Sequence, residues 1–245
     1  MTDMLSIFKR EMRSYFTTAT GYIFLAVSLA LFGVALGITT FMQSSADTGS
    51  YFTFVLVILA VILPILTMKT FSEEKKTKTE QLLLTAPVSV PKMVLGKYFA
   101  ALCMFLIVMG AAMINYIPLY RYAVKDTFNA TPPNFVMIIG STFALILVGM
   151  GFIAIGMFVS SLTENQFAAV VITLGILVAL LFIGAFNGYI ASSAIRAILD
   201  WFSIYNRFYN FTYGIFDFGA LFYYISIAAV FVFLTIRVFE SRRYR

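Results

Sequence analysis

Six long apolar runs joined by short polar connectors constrain this chain more than any other feature. They are Gly21–Met42, Tyr51–Met68, Met93–Pro118, Phe135–Ser160, Gln166–Phe186 and Phe218–Ile236, each eighteen to twenty-six residues long. A helix of about 18 or more apolar residues crosses the ~30 Å hydrocarbon core of a bilayer. Inside the six runs the only charged side chain is Lys97, near one end of the third. The composition agrees, with 61% hydrophobic and 11% charged residues against about 45–50% and 25% in a soluble domain. The pattern predicts an all-α integral membrane protein of six transmembrane helices. The connectors leave no room for a folded soluble domain.

Lys9, Arg10 and Arg13 precede the first run, as in a signal peptide. That run is twenty-two residues long and lacks a small-x-small cleavage site, whereas an h-region has about 7–15 residues. It reads as a retained first span. With the N-terminus inside, the inner segments carry thirteen Lys and Arg residues and the outer segments four, namely Arg121, Lys125, Arg196 and Arg207. This positive-inside bias places both termini in the cytoplasm. The net charge of +6 then reports topology and contact with anionic headgroups, not nucleic acid, which would need a basic face on a soluble fold.

Cys103 is the single cysteine and lies in an apolar run, so no disulfide forms within the chain. The chain has no histidine. That excludes Ser-His and Cys-His nucleophile activation and the HExxH zinc site. Lys97 follows Gly96, yet Pro91 and Tyr98 stand where a phosphate-binding loop needs glycine and Ser or Thr. The span centres lack the titratable groups that proton or sodium coupling requires. Asn115 and the scattered hydroxyls of Ser28, Thr39, Thr40, Thr142, Thr173 and Ser226 are expected to bond helix backbone. Enzyme chemistry and an ion-driven carrier are both disfavoured, so energy for any uphill movement comes from a partner.

Residues 4–16 read as an amphipathic helix lying in the cytoplasmic interface. Met4, Phe8, Met12 and Tyr15 recur at helical spacing, with Leu5 and Phe16 beside them and Lys9, Arg10 and Arg13 opposite. Gly33 and Gly37 form a GxxxG pair in the first span, and Gly140/Ala144, Gly156/Ser160 and Gly184/Gly188 repeat the small-xxx-small spacing. Such residues let helices approach closely, within one bundle or between subunits. Pro64 is expected to kink the second span.

The densest polar feature is the hairpin at 69–92, which holds eight of the twenty-eight charged residues. Thr77 and Glu80 have capping-box spacing, which predicts a two-turn helix through Leu82, Leu83 and Leu84, stopped by Pro87. Pro91 suits the first turn of the next helix. Two turns do not persist alone in water, so something must pack against them. On the outer side, 187–217 carries Trp201, Tyr205, Phe208, Tyr209, Phe211, Tyr213 and Phe216. That density fits an interfacial belt or helices dipping into the outer leaflet.

The hairpin Phe71-Ser-Glu-Glu-Lys…Thr79-Glu-Gln-Leu-Leu-Leu-Thr-Ala-Pro-Val, followed by Val94-Leu-Gly-Lys-Tyr-Phe-Ala-Ala101, resembles the permease subunits of ABC-2 type transporters. The run from Phe202 to Asp217, Phe222-Tyr-Tyr-Ile and the closing Glu240-Ser-Arg-Arg243 are similar to the gliding-motility branch of that family. The resemblance covers essentially the whole chain. It implies a multi-pass permease of a bacterial cytoplasmic membrane, paired with itself or a sister chain and bound to separate ABC ATPase subunits. No cofactor sits on this chain; ATP and magnesium belong to the partner ATPase.

In this reading residues 1–20 are the interfacial helix, 21–236 the transmembrane domain and 237–245 a basic tail. The helix at Thr79–Thr85 is the coupling helix, with Leu82, Leu83 and Leu84 as apolar anchors and Glu73, Glu74 and Glu80 facing basic residues of the ATPase. Phe8, Lys9, Arg10 and Arg13 mark the interfacial helix, which also touches the ATPase, and Gly33 with Gly37 marks a possible dimer contact. The substrate path runs between the two permeases, lined by spans one, two and five, and the outer aromatic segment forms re-entrant helices that close it. Two alternatives share parts of the pattern: a substrate-capture subunit of an energy-coupled importer, and a membrane anchor without transport.

Overall fold

The computed structural model describes residues 2–42, 48–79, 89–123, 135–183, 199 and 201–243. Every regular element among them is helical. In chain order these are α1 (Thr2–Thr17), α2 (Ala19–Leu36) continued by a π-helical stretch (Gly37–Phe41), α3 (Thr48–Thr67) and α4 (Lys69–Lys76). Then follow α5 (Val90–Ala112), a 3-10 turn (Met113–Asn115), α6 (Tyr116–Ala123), α7 (Phe135–Leu162), α8 (Gln166–Phe182), α9 (Ile204–Thr212) and α10 (Phe218–Arg243).

Among the described residues five helical stretches are long and apolar enough to cross a membrane: Ala19–Phe41, Thr48–Lys76, Val90–Leu119, Phe135–Leu162 and Phe218–Arg243. The fifth apolar run of the sequence forms α8, seventeen residues long. At 1.5 Å per residue that is about 25 Å, short of the hydrocarbon thickness. The last residues of that run lie outside the described set.

Hydroxyls in the spans mostly return to their own helix, as expected. Ser28 donates to Phe24 O at 2.6 Å, Thr39 to Ala35 O at 2.8 Å, Thr142 to Ile138 O at 2.7 Å, Thr173 to Ala169 O at 2.7 Å and Ser226 to Phe222 O at 2.6 Å. A hydroxyl bonded this way costs little in lipid, because its polarity is spent on a carbonyl one turn back. Among the described residues Thr40, in the π-helical stretch, is buried with no such bond.

The third span departs from its predicted end at Pro118. Pro118 has no N–H to give Ile114 O, and its ring crowds that carbonyl. The chain tightens into the 3-10 turn at Met113–Asn115 and then resumes as α6. Asn115, the strongest polar side chain of the spans, bonds the Tyr51 hydroxyl there.

Of the long stretches, α7 is the most buried. Its Gly156 faces Thr67 of α3 so closely that a Cβ built on it would stand 2.2 Å from Thr67 Oγ1. Helices in lipid associate through such small-residue notches, since apolar burial offers no gain there. The Gly156/Ser160 pair therefore serves packing within the chain. Gly33 of α2 and Gly37 at the start of the π-helical stretch do the opposite, with nothing among the described residues within 4 Å of a Cβ on either.

Both terminal helices reach the same end of the bundle, because α4 touches α1 through an ion cluster and α10 through ring packing. The helix α10 runs unbroken past Ile236 to Arg243, so the basic tail continues the last span. At the far end, α9 buries Ile204, Phe208 and Phe211, and its Phe211 carbonyl lies 3.3 Å from a Cβ built on Gly140 of α7. The Tyr224 hydroxyl donates to Ile204 O and that of Tyr223 to Phe202 O, both at 2.9 Å. Asp217 caps α10 by accepting from Gly219 N and Ala220 N.

Candidate functional site

The junction at the terminal end is built around the break between α3 and α4. Pro64 deprives α3 of one N–H near its end. The helix stops at Thr67, turns at Met68 and restarts as α4. A restart leaves the first N–H groups of the new helix without partners. Ser160, one turn beyond Gly156 on α7, supplies them. Its Oγ accepts from Phe71 N and Ser72 N, each at 3.2 Å, and donates to Met68 O at 2.9 Å. Ser72 Oγ also donates to Met68 O. A side chain of a neighbouring helix thus caps α4.

The same short helix carries the buried charges. Lys97 of α5 is 2% exposed. Its ammonium donates to Glu74 Oε1 at 2.8 Å and Thr70 O at 2.9 Å, both on α4, and pairs with Glu11 Oε1 of α1 at 3.2 Å. All three of its protons have acceptors, as a buried ammonium requires. Arg10 closes the cluster, 2.9 Å from Glu11 and 3.6 Å from Glu74. Burial pushes the Glu11 carboxyl up, but Lys97 and Arg10 outweigh it and hold the group below the usual glutamate range. Next to Lys97, Gly96 lets α1 lie close against α5. A Cβ there would meet Ile7 Cγ2 and Met4 O, each at 3.1 Å.

α10 completes the junction. Phe239 packs on Phe71 with ring centroids 4.7 Å apart, and Lys97 Nζ lies 5.2 Å from the other ring partner, Phe71. Arg242 donates to Ser161 O at 2.7 Å. Lys75 and Glu164 pair at 3.4 Å on the surface, where such a pair adds at most about 1 kcal/mol. Helices α1, α5, α7 and α10 therefore converge on eight residues of α4. The chain leaves α4 directly into the hairpin tip.

The structure distributes the expected site residues unevenly. Glu80, Leu82, Leu83 and Leu84, and with them the expected coupling helix, lie outside the described residues. Glu73 is exposed on α4, whereas the Glu74 carboxylate is held by Lys97. Thr77 does not start a helix. It ends α4, its hydroxyl donating to Glu73 O at 2.9 Å, and Lys78 follows in the left-handed region at φ 59°. A threonine that bonds four residues back closes a helix as readily as it opens one, which capping-box spacing alone does not reveal. Along α1, Lys9, Arg10 and Arg13 are exposed and Phe8 is half-buried. Gly33 and Gly37 face away from the described helices.

Glu11, Ile7 and Phe239 went unread in the sequence, and Ser160 was read only as half of a small-residue pair. The first two left a signal. Met4, Ile7, Glu11 and Tyr15 lie on one helical face, and a lone lysine in an apolar run demands a carboxylate. Ser160 closes its apolar run and Phe239 lies in the basic tail, and only the packing gives them roles.

No curated protein matches the chain. A model of the ABC-2 family transporter proteins matches residues 14–239. That stretch holds four of the five membrane-crossing helices in full and most of α10, and of α1 only Ser14–Thr17. By that match the chain belongs to the ABC-2 transporter family, whose members are membrane transport components.

Proposed function

We propose that this chain is the membrane-spanning permease subunit of an ATP-driven, export-type transporter, working as a dimer with two separate ABC ATPases. Both termini lie in the cytoplasm and six helices cross the membrane, α8 with the residues that follow it making the sixth crossing. Support comes from the meeting of α1 and α10 at one end, which calls for an even number of crossings. The hairpin tip, with Glu80 and Leu82–Leu84, forms the coupling helix in a cleft of the ATPase. Glu73 meets basic residues there directly, and Glu74 acts through Lys97. The exposed face of α1, with Lys9, Arg10 and Arg13, supplies a second contact.

The single observation that carries this reading is the fastening of α4. A push on the hairpin tip reaches α4 within a few residues, and α4 is bound by ions, backbone capping and ring packing to α1, α5, α7 and α10. Closure of the ATPases then moves those helices as nearly rigid pieces instead of merely bending a loop. The outward Gly33 and Gly37, with Ala26 and Ala30 exposed on the same side of α2, leave a surface on which a second permease packs closely. The aromatic helix α9 lies at the far end, where the path opens.

The test is mild crosslinking in native membranes through Lys75, Lys76 and Lys78, followed by purification and mass spectrometry. Recovery of an ABC ATPase in near-equal amount is expected. Repeated recovery of the chain without one rejects the coupling role. As a companion, Glu80→Arg with Leu83→Asp is expected to abolish transport while the protein still inserts.

A further inference from the structure

A groove of about 300 Å³ lies where α1, α2 and the end of α3 meet. Its walls include Val27, Ile62 and Ile65, and Tyr15, Thr20 and Lys69 stand at its head. Val27 is 42% and Ile65 43% exposed, so the groove opens sideways, on the face that lipid covers. An apolar slot there accepts any acyl chain. Selectivity must come from the head.

The head is positive and uncompensated. At this end of the bundle Lys97 pairs with Glu11 and Glu74, and Lys75 with Glu164. Among the described residues Lys69 has no carboxylate and no hydrogen-bond partner. Of the three helices that bring residues to the head, α2 and α4 have no acidic residue in their first turns, and Glu11 of α1, one turn before Tyr15, is already paired with Lys97 and Arg10. The first turn of α2, which holds Thr20, also has no side-chain cap, and a helix start carries the positive end of its dipole. A lysine without a carboxylate, beside the uncapped start of α2, is a favourable place for an anion. The anion must also have an apolar tail, because the slot below it is lined by aliphatic side chains and faces hydrocarbon.

We propose that this groove binds one anionic phospholipid of the adjoining leaflet, with an acyl chain along Val27, Ile62 and Ile65 and the phosphate on Lys69, beside Tyr15 and Thr20. The bound lipid bridges α1 to α3 across the junction, adding an anionic ligand to the fastening of the interfacial helix. The site stands on the family assignment and the groove itself, and does not depend on the coupling role of the hairpin.

The test is native mass spectrometry of the purified full chain released from micelles, with added phosphatidylglycerol, phosphatidylcholine of the same acyl chains, or inorganic phosphate. One lysine near a headgroup predicts about fivefold better retention of the first phosphatidylglycerol than of phosphatidylcholine. Lys69→Gln is expected to remove that preference, and Val27→Trp to reduce retention of both lipids. Equal retention of the two lipids by the wild type overturns the proposal. So does a preference unchanged in Lys69→Gln, or phosphate alone held as well as phosphatidylglycerol. Lipid held by the monomer but excluded from the dimer gives the groove to a second copy and likewise overturns it. Because the wild-type comparison and Val27→Trp each read the site separately, failure of Lys69→Gln to fold leaves the proposal open to refutation.

Discussion

Replacing Lys97 with methionine keeps most of the side-chain volume and removes the charge, which isolates the electrostatics of the junction. Lys97 is 2% exposed, and its ammonium lies 2.8 Å from Glu74, 3.2 Å from Glu11 and 2.9 Å from Thr70 O. Without it two carboxylates face each other across one apolar gap, with Arg10 as their remaining cation. Removing one partner of a buried pair costs about 3–5 kcal/mol. The two glutamates are each 20% exposed and Arg10 remains, so the low end, about 3 kcal/mol, applies. In a chain of this size that lowers the unfolding midpoint by about 6–12 °C. Neutralising all three, as Lys97→Met with Glu11→Gln and Glu74→Gln, leaves no stranded charge and is expected to recover most of the loss.

The assay is thermal unfolding in detergent, followed by fluorescence-detected size exclusion, over a range of pH. The Glu11 pKa is depressed in the folded protein. Its contribution is therefore present above the ordinary glutamate value of about 4.3 and is lost as pH falls through the folded value. The gap between wild type and Lys97→Met should narrow on acidification. A single variant within about 2 °C of wild type, or a triple variant as damaged as the single one, refutes the electrostatic account.

Three further substitutions probe the remaining joints. Ser160→Ala leaves Phe71 N and Ser72 N without their acceptor, at about 1–3 kcal/mol for each buried unsatisfied group. Ser28→Ala removes only a bond within one helix, so its midpoint should stay near wild type, and equal losses in the two variants contradict the capping role. Gly156→Ala forces α3 and α7 apart, since its Cβ meets Thr67 Oγ1 at 2.2 Å. Its folded yield should drop and recover in part with Thr67→Ala, and a stable single variant contradicts the close approach. Gly33→Leu meets open space within the chain, so the monomer should fold normally while the dimer weakens. Unchanged oligomer mass by light scattering removes α2 from the interface.

The membrane class, the amphipathic α1 and five of the crossing helices were legible in the sequence because each is a local property. Eighteen apolar residues make a spanning helix whatever surrounds them, and a 3.6-residue stripe makes one face apolar wherever it lies. The exclusion of histidine chemistry was equally independent of the fold. The junction was not legible, because its parts are far apart in the chain and chemically plain. Ser160 is one serine among several, and it caps α4 only because Gly156 lets α7 approach within reach. Thr77 has the spacing of a helix start and yet ends one, because α4 continues from α3 on the support of that cap. Lys97 announced the need for a carboxylate, but the choice of Glu11 and Glu74 over Glu73 belongs to the packing. A charge names the kind of partner it needs, and only tertiary distance decides which residue becomes that partner.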